Sequence, residues 1–189
     1  MSRWLERLAI VAASLAVAIG VIAILSGGLL AGHDSPGVSG SDDGPGIAFR
    51  DQGDSQLKPG ELRPVYDSNP PTSGPHLPDA VGRDRAELTD DQVLQALAAG
   101  DVIFMYGTRT PPPGLAALAV AVAPPFTTAL AASGQAVLLA YRPGMPGVTA
   151  LAWTHMLRVA SSRDPALRSF AQIWLGRGAP RTGTALPRS

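Results

Sequence analysis

Hydrophobic residues are distributed unevenly along this chain, and a long uncharged run stands near its start. Residues 8–31 contain no charged side chain, and arginines precede them at positions 3 and 7. A membrane-spanning helix needs about twenty apolar residues, so this run predicts a transmembrane anchor. The positive-inside rule then predicts that residues 1–7 are cytoplasmic and that the rest of the chain is extracytoplasmic. A cleaved signal peptide is the alternative interpretation, although its apolar core would be shorter.

Residues 32–60 have a different composition, dominated by Gly, Ser, Pro and Asp. Their only apolar cluster is Ile47–Phe49. A segment of this kind buries too little apolar surface to offset the entropy that is lost on ordering. We therefore expect a flexible linker that holds the following domain away from the membrane, with a reach of about 30 Å as a coil.

The next apolar pattern indicates a helix that is followed by a central strand. Thr89 and Gln92 fit a capping box, and apolar residues at helical spacing lead to Gly100, which is typical of a helix carboxyl cap. Residues 102–106 then form a continuous apolar run. Such a run favours a strand that is buried on both of its faces, so we expect it at the centre of a sheet.

The remaining pattern predicts a folded domain over residues 61–178 and a flexible tail over 179–189. We expect the strands over residues 136–141 and 148–157 to form an antiparallel hairpin, because a turn-rich segment joins them. The predicted elements are a proline-rich loop over 107–114, helices over 115–122, 126–132 and 164–176, and strands over 136–141 and 148–157. This order predicts an α/β or α+β fold with a small mixed sheet and flanking helices, and it resembles a reduced thioredoxin-like arrangement.

Charge and cysteine content exclude two classes of function. The formal net charge is zero, and a single lysine among fourteen arginines forms no basic stripe. Phosphate contacts dominate nucleic-acid affinity, so we expect no nucleic-acid partner. The chain contains no cysteine. This excludes disulfides, thiolate metal sites, a cysteine nucleophile and thiol redox chemistry.

The segment Tyr66–Pro78 is the main candidate site. It contains four prolines and one glycine, and these residues predict a shaped loop rather than a helix or a central strand. Thr72, Ser73 and His76 are polar groups on this stiff backbone, so they are candidate binding residues together with Tyr66. Arg109, beside the triple proline of the second loop, is a further candidate and would hold an anion.

Two kinds of chemistry are compatible with these residues. His76 and His155 are the only histidines of the predicted domain. With an aspartate they would make a zinc-like site, and with a methionine a copper-like site. The alternative is that His76 hydrogen-bonds its own loop. Ser73 next to a glycine suggests a hydrolase, but it lies outside a Gly-x-Ser-x-Gly elbow, which favours a structural role for its hydroxyl.

The loop also carries a family resemblance. Tyr66, the phrase Asn69-Pro70-Pro71-Thr72-Ser73-Gly74-Pro75-His76 and Pro78 resemble the signature of the DUF3105 family, bacterial proteins of unknown function that are often membrane-anchored. The resemblance covers roughly residues 60–178. Members usually carry a second motif, His-x-x-Glu-His-Gly, where this chain has Gln95-Ala96-Leu97-Ala98-Ala99-Gly100. The resemblance therefore implies a divergent member that has kept His76 without its metal-binding or acid–base companions.

Together these patterns predict a single-pass, membrane-anchored protein of the bacterial cell envelope. Its extracytoplasmic domain is expected to act as an interaction or accessory module, with an envelope protein as partner and without catalysis or a cofactor. The alternative is a metal-binding envelope protein that uses His76 and His155 to hold zinc or copper.

Overall fold

A mixed sheet of six strands organises residues 44–180, the part of the chain that this computed structural model describes. Four helices cover the sheet. The strands are β1 (Ile47–Ala48), β2 (Ala86–Glu87), β3 (Val102–Tyr106), β4 (Val137–Tyr141), β5 (Val148–Ala152) and β6 (His155–Val159). The helices are α1 (Asp90–Ala99), α2 (Leu115–Val122), α3 (Thr128–Ala132) and α4 (Pro165–Trp174).

The strands are ordered β1-β6-β5-β3-β4-β2. β3 is parallel to β4 and antiparallel to β5, while β4 is parallel to β2 and β6 is antiparallel to both of its neighbours. All five residues of β3 are buried. The mixed α/β fold and the central position of this strand are therefore confirmed.

The predicted hairpin between residues 136–141 and 148–157 is wrong, because β3 lies between β4 and β5. The parallel β3–β4 pair instead requires a crossover, and α2 and α3 supply it. The hairpin of this region is β5–β6, with its turn at Trp153 and Thr154. Thr154 has a φ of +60°. Neither glycine nor proline marks this turn, so the apolar run 148–157 resembled one strand.

Helix α1 begins and ends as its sequence predicts. Thr89 accepts a hydrogen bond from the Gln92 amide, and the Gln92 side chain accepts one from the Thr89 amide, which completes the capping box. Gly100 adopts a left-handed conformation with a φ of +118°. This geometry satisfies carbonyls of the last turn and directs the chain into β3.

The sheet buries apolar side chains on both faces. On the face that α2 and α4 cover, one apolar cluster contains Val102, Phe104 and Tyr106 of β3 together with Phe170 of α4. Alternate residues of β3 belong to the cluster on the opposite face, where α1 and α3 pack. This alternation follows from the two-residue period of a strand.

The expected linker over residues 32–60 is wrong for its second part. Ile47 and Ala48 form β1, which pairs with Met156 and His155 of β6. The Phe49 amide also donates to the Thr154 carbonyl at 2.7 Å. Backbone pairing and the apolar contact of Phe49 with the core offset the ordering entropy of a polar segment.

The predicted anchor over residues 8–31 and most of the predicted tail lie outside the described residues. Within residues 44–180, no helix has the length and apolar character that crossing a membrane requires.

Candidate functional site

The loop Tyr66–Pro78 is fastened along its second half to residues 50–57. The Gly74 amide donates to the Gly53 carbonyl at 2.8 Å, and the His76 amide donates to the Ser55 carbonyl at 3.1 Å. The Leu57 amide donates in turn to the His76 carbonyl at 2.8 Å. These bonds resemble a short strand pairing, so the proline loop and residues 50–57 stabilise each other.

Thr72 and Ser73 are fully buried. The Ser73 hydroxyl donates to the Arg50 carbonyl at 3.0 Å and accepts from the Gln52 amide at 3.1 Å. The Thr72 hydroxyl lies 3.2 Å from that of Ser68. The Thr72 carbonyl accepts from the Thr154 amide at 2.9 Å. Both side chains therefore make internal contacts, and Ser73 bonds main-chain atoms, as the structural interpretation of this residue predicts.

His76 is 2% exposed, and its Nδ1 lies 2.9 Å from the Gly74 carbonyl oxygen. A carbonyl oxygen only accepts, so this contact assigns the proton of the ring to Nδ1. In the neutral ring, Nε2 is then the nitrogen with a lone pair. The loop hydrogen bond that the sequence suggested for this histidine is present.

Tyr66 closes the loop on itself. Its hydroxyl donates to the Pro75 carbonyl at 2.7 Å, and its ring covers Gly74. Gly74 has a φ of +129°, and a Cβ there would lie 2.8 Å from the ring. Glycine is required at this position both by its backbone conformation and by the close approach of the ring. Burial raises the pKa of the Tyr66 phenol.

Asp91 joins the loop to helix α1, a role that sequence reasoning missed. This buried carboxylate accepts from the Leu77 amide at 3.0 Å and forms an ion pair with Arg63. The hydrogen bond to Asp91 raises the pKa of the Arg63 guanidinium. Asp91 lies in the first turn of α1, and no local pattern links it to an arginine 28 residues earlier.

His155 begins β6 and is half-buried. Its Nδ1 lies 3.0 Å from both the Thr154 hydroxyl and the Trp153 carbonyl, and its ring stacks on Trp174 with centroids 3.6 Å apart. Together with Phe49 these residues line a surface depression of about 270 Å³. Neither tryptophan of this depression was predicted as a site residue. Trp174 is distant from His155 in sequence, and Trp153 lies within residues 148–157, which were expected to form one strand.

Arg109 is exposed in the loop after β3. Ile103 of β3 pairs with Leu151 of β5, so the turn at Thr154 lies beside the start of β3. Arg109 instead follows the end of β3. The structure therefore does not unite Arg109 with the Thr72 part of the proline loop.

Metal binding at His76 and His155 stays a prediction. Across residues 44–180, no three His, Cys, Asp or Glu side chains are grouped so that they could hold a metal ion. The segment Gln95–Gly100, which replaces the second family motif, forms the end and the cap of α1.

Comparison with known proteins supports one assignment. No curated protein and no solved structure matches the chain. The family model described as "Protein of unknown function (DUF3105)" matches residues 62–185, which include the proline loop and all elements from β2 to α4. Because this match covers well over half of the sequence, the chain belongs to the DUF3105 family.

Proposed function

We propose that this protein is a single-pass, membrane-anchored interaction or accessory module of the bacterial cell envelope. Its extracytoplasmic domain would bind another envelope protein and carry out no catalysis of its own. The uncharged run over residues 8–31 and the basic residues before it support the anchor and its orientation. The internal hydrogen bonds of Thr72 and Ser73 support a scaffold role for the loop that carries the family signature.

The observation that carries the interaction proposal is an ordered strip of exposed apolar side chains just before the loop. Leu62 is 95% exposed and Val65 is 91% exposed. Arg63 between them is bound to Asp91, and the Gln52 side chain donates to the Val65 carbonyl at 3.1 Å. The ion pair and the hydrogen bond thus hold the backbone in place while the side chains of Leu62 and Val65 face solvent. Pre-ordered apolar groups favour binding, since little entropy is lost when a partner covers them.

The test is site-specific photo-crosslinking in cells that express the full chain. A photoreactive residue at position 62 or 65 is expected to give a discrete adduct with one envelope protein, whereas the same residue at the exposed position Gln172 of α4 is not. In a Val65→Asp background, the adduct from position 62 should be lost, because a charge opposes burial of the strip.

Each alternative result has a definite meaning. Adducts with lipid alone would show that the strip contacts the membrane, and an adduct between two copies of this chain would indicate self-association. Either result, or equal adducts at all three positions, would contradict the proposal of an envelope protein partner.

We also propose a thioredoxin-like arrangement for the sheet. The parallel unit formed by β3, the crossover helices and β4 is followed by the antiparallel strands β5 and β6 and then by α4. This order and these directions support the likeness. The loop after β3 contains no cysteine, so the proposal concerns the fold alone.

A further inference from the structure

The exposed apolar strip belongs to a segment, residues 61–66, whose contacts repeat every third residue. Arg63 and Tyr66 contact the folded domain, because the Arg63 guanidinium pairs with a buried carboxylate of α1 and the Tyr66 hydroxyl donates to a carbonyl of the proline loop. Leu62 and Val65 instead face solvent with 95% and 91% of their surface exposed. The residues that face the domain and the residues that face solvent are thus each spaced three apart.

This spacing indicates the backbone conformation of the segment. A strand repeats every second residue and would place Arg63 and Val65 on one face, whereas one of them is paired with the domain and the other is exposed. Residues 61–66 also belong to no helix. A polyproline II helix has three residues per turn, and Pro64 favours it both by its own fixed φ and by its effect on the residue before it. The segment therefore has the pattern of a polyproline II helix that contacts the domain along one of its three ridges.

The backbone of this segment can also accept hydrogen bonds from a partner. Within the described part of the chain, no backbone–backbone hydrogen bond involves residues 62–66. The Val65 carbonyl accepts from the Gln52 side chain, but the carbonyls of residues 62–64 accept from no group in residues 44–180. The indole of tryptophan and the hydroxyl of tyrosine are donors that such carbonyls can accept from.

We propose that the partner binds the strip as one ridge of a polyproline II helix, in a groove lined by aromatic side chains. The proposal rests on the interaction function given above and names the kind of surface that the partner presents. Leu62 and Val65 lie one turn apart, about 9 Å along such a helix, so two neighbouring aromatic-walled pockets would receive them. Pairing with a partner's strand is disfavoured, because Pro64 has no amide to donate. Insertion into lipid is disfavoured, because it would bring the neighbouring Glu61 carboxylate into an apolar medium.

The test adds competing peptides to envelope membranes from cells that express the full chain with a photoreactive residue at position 62. The probe, Pro-Leu-Pro-Pro-Val-Pro, carries leucine and valine three residues apart on a stiff polyproline II backbone, as the strip does. The control, Pro-Leu-Pro-Val-Pro-Pro, has the same composition but places them on different ridges. At about 1 mM, where a peptide with a dissociation constant of about 0.1 mM occupies about nine-tenths of its sites, the probe should reduce the adduct about fivefold or more. The control should leave the adduct nearly unchanged.

Pro64→Gly tests the same conformation in the protein itself. Glycine lacks the φ restriction of proline, so the segment samples other conformations before it binds. The adduct from position 62 should therefore fall about two- to fivefold. Pro146→Gly, at an exposed proline between β4 and β5, is the matched control and should leave the adduct unchanged.

The possible outcomes separate this proposal from the function on which it rests. If position 62 gives no discrete protein adduct without peptide, both are contradicted. If the adduct forms but both peptides displace it equally, or neither does, the polyproline II recognition is overturned while the interaction with an envelope protein stands. An adduct that is unchanged in Pro64→Gly would also overturn the recognition mode alone.

Discussion

At the scale of single residues, Asp101 shows how the folded surroundings, rather than the local sequence, determine the pKa of a carboxyl group. It follows the glycine cap of α1, and its Oδ1 fixes the start of β4 through the Ala136 amide. Burial raises the pKa of its carboxyl group from 3.8 to about 7. Between these values the folded protein keeps a proton that the unfolded chain has released. The contribution of Asp101 to stability is therefore full below about pH 4 and is lost as the pH rises to about 7.

Replacement of Asp101 by asparagine should remove this pH dependence. Relative to the wild type, Asp101→Asn is expected to gain about 2–4 kcal/mol of unfolding free energy between about pH 4 and pH 8, since each pKa unit corresponds to about 1.4 kcal/mol. Urea denaturation across this range, in amine-free buffer, measures the difference. Asp67→Asn, at an exposed aspartate, is the matched control for loss of one carboxyl group. Parallel pH profiles for wild type and Asp101→Asn would contradict the prediction.

At the scale of elements, the proline loop and residues 50–57 depend on each other for order. Ser73 holds one end of this contact, because it donates to the Arg50 carbonyl and accepts from the Gln52 amide. Neither segment has the pattern of a strand or helix. Their hydrogen bonds nevertheless satisfy buried backbone groups that would otherwise be unpaired.

Ser73→Ala should loosen this contact and leave the central sheet intact. We expect a loss of about 1–3 kcal/mol, because the buried Ser73 hydroxyl makes two hydrogen bonds, each worth about 0.5–1.5 kcal/mol. Amide hydrogen exchange should quicken at Gln52 and Leu57, with little change at Phe104 in β3. Ser169→Ala, on the exposed side of α4, is the matched control and should leave these rates unchanged. Unaltered exchange at both Gln52 and Leu57 would refute this account of the loop.

The same elements show what the sequence could predict. Helix α1 was predicted with its caps because Thr89, Gln92 and Gly100 act within a few residues of one another. The turn at Thr154 was missed, since threonine seldom adopts a positive φ and gives no turn signal. The loop was predicted from its prolines. Its partner segment was not, because the bonds of Ser73 join residues 21 and 23 positions apart.

At the scale of the whole molecule, the folded unit begins earlier than either the composition or the family match suggests. The family model starts at residue 62, and the sequence predicted a domain from residue 61. The structure adds β1, which pairs with β6, and the Trp174 indole donates to the Pro45 carbonyl at 3.3 Å. A polar, glycine-rich segment is thus ordered by contacts with distant parts of the chain, which a composition argument does not consider.

The final prediction concerns this early boundary. A fragment of residues 58–180 lacks β1 and the partners of the proline loop, whereas a fragment of residues 44–180 retains both. Removing them leaves the Ser73 hydroxyl, the Gly74 and His76 amides and the Thr154 carbonyl without their partners. Because water replaces the removed partners, each lost hydrogen bond costs about 0.5–1.5 kcal/mol, and a whole domain is stable by only about 5–15 kcal/mol. We therefore expect the shorter fragment to melt at least about 10 °C lower, or to show no cooperative transition by circular dichroism. The full chain is the reference for both fragments. Equal melting temperatures would show that residues 44–57 are dispensable and that the domain starts where its composition suggests.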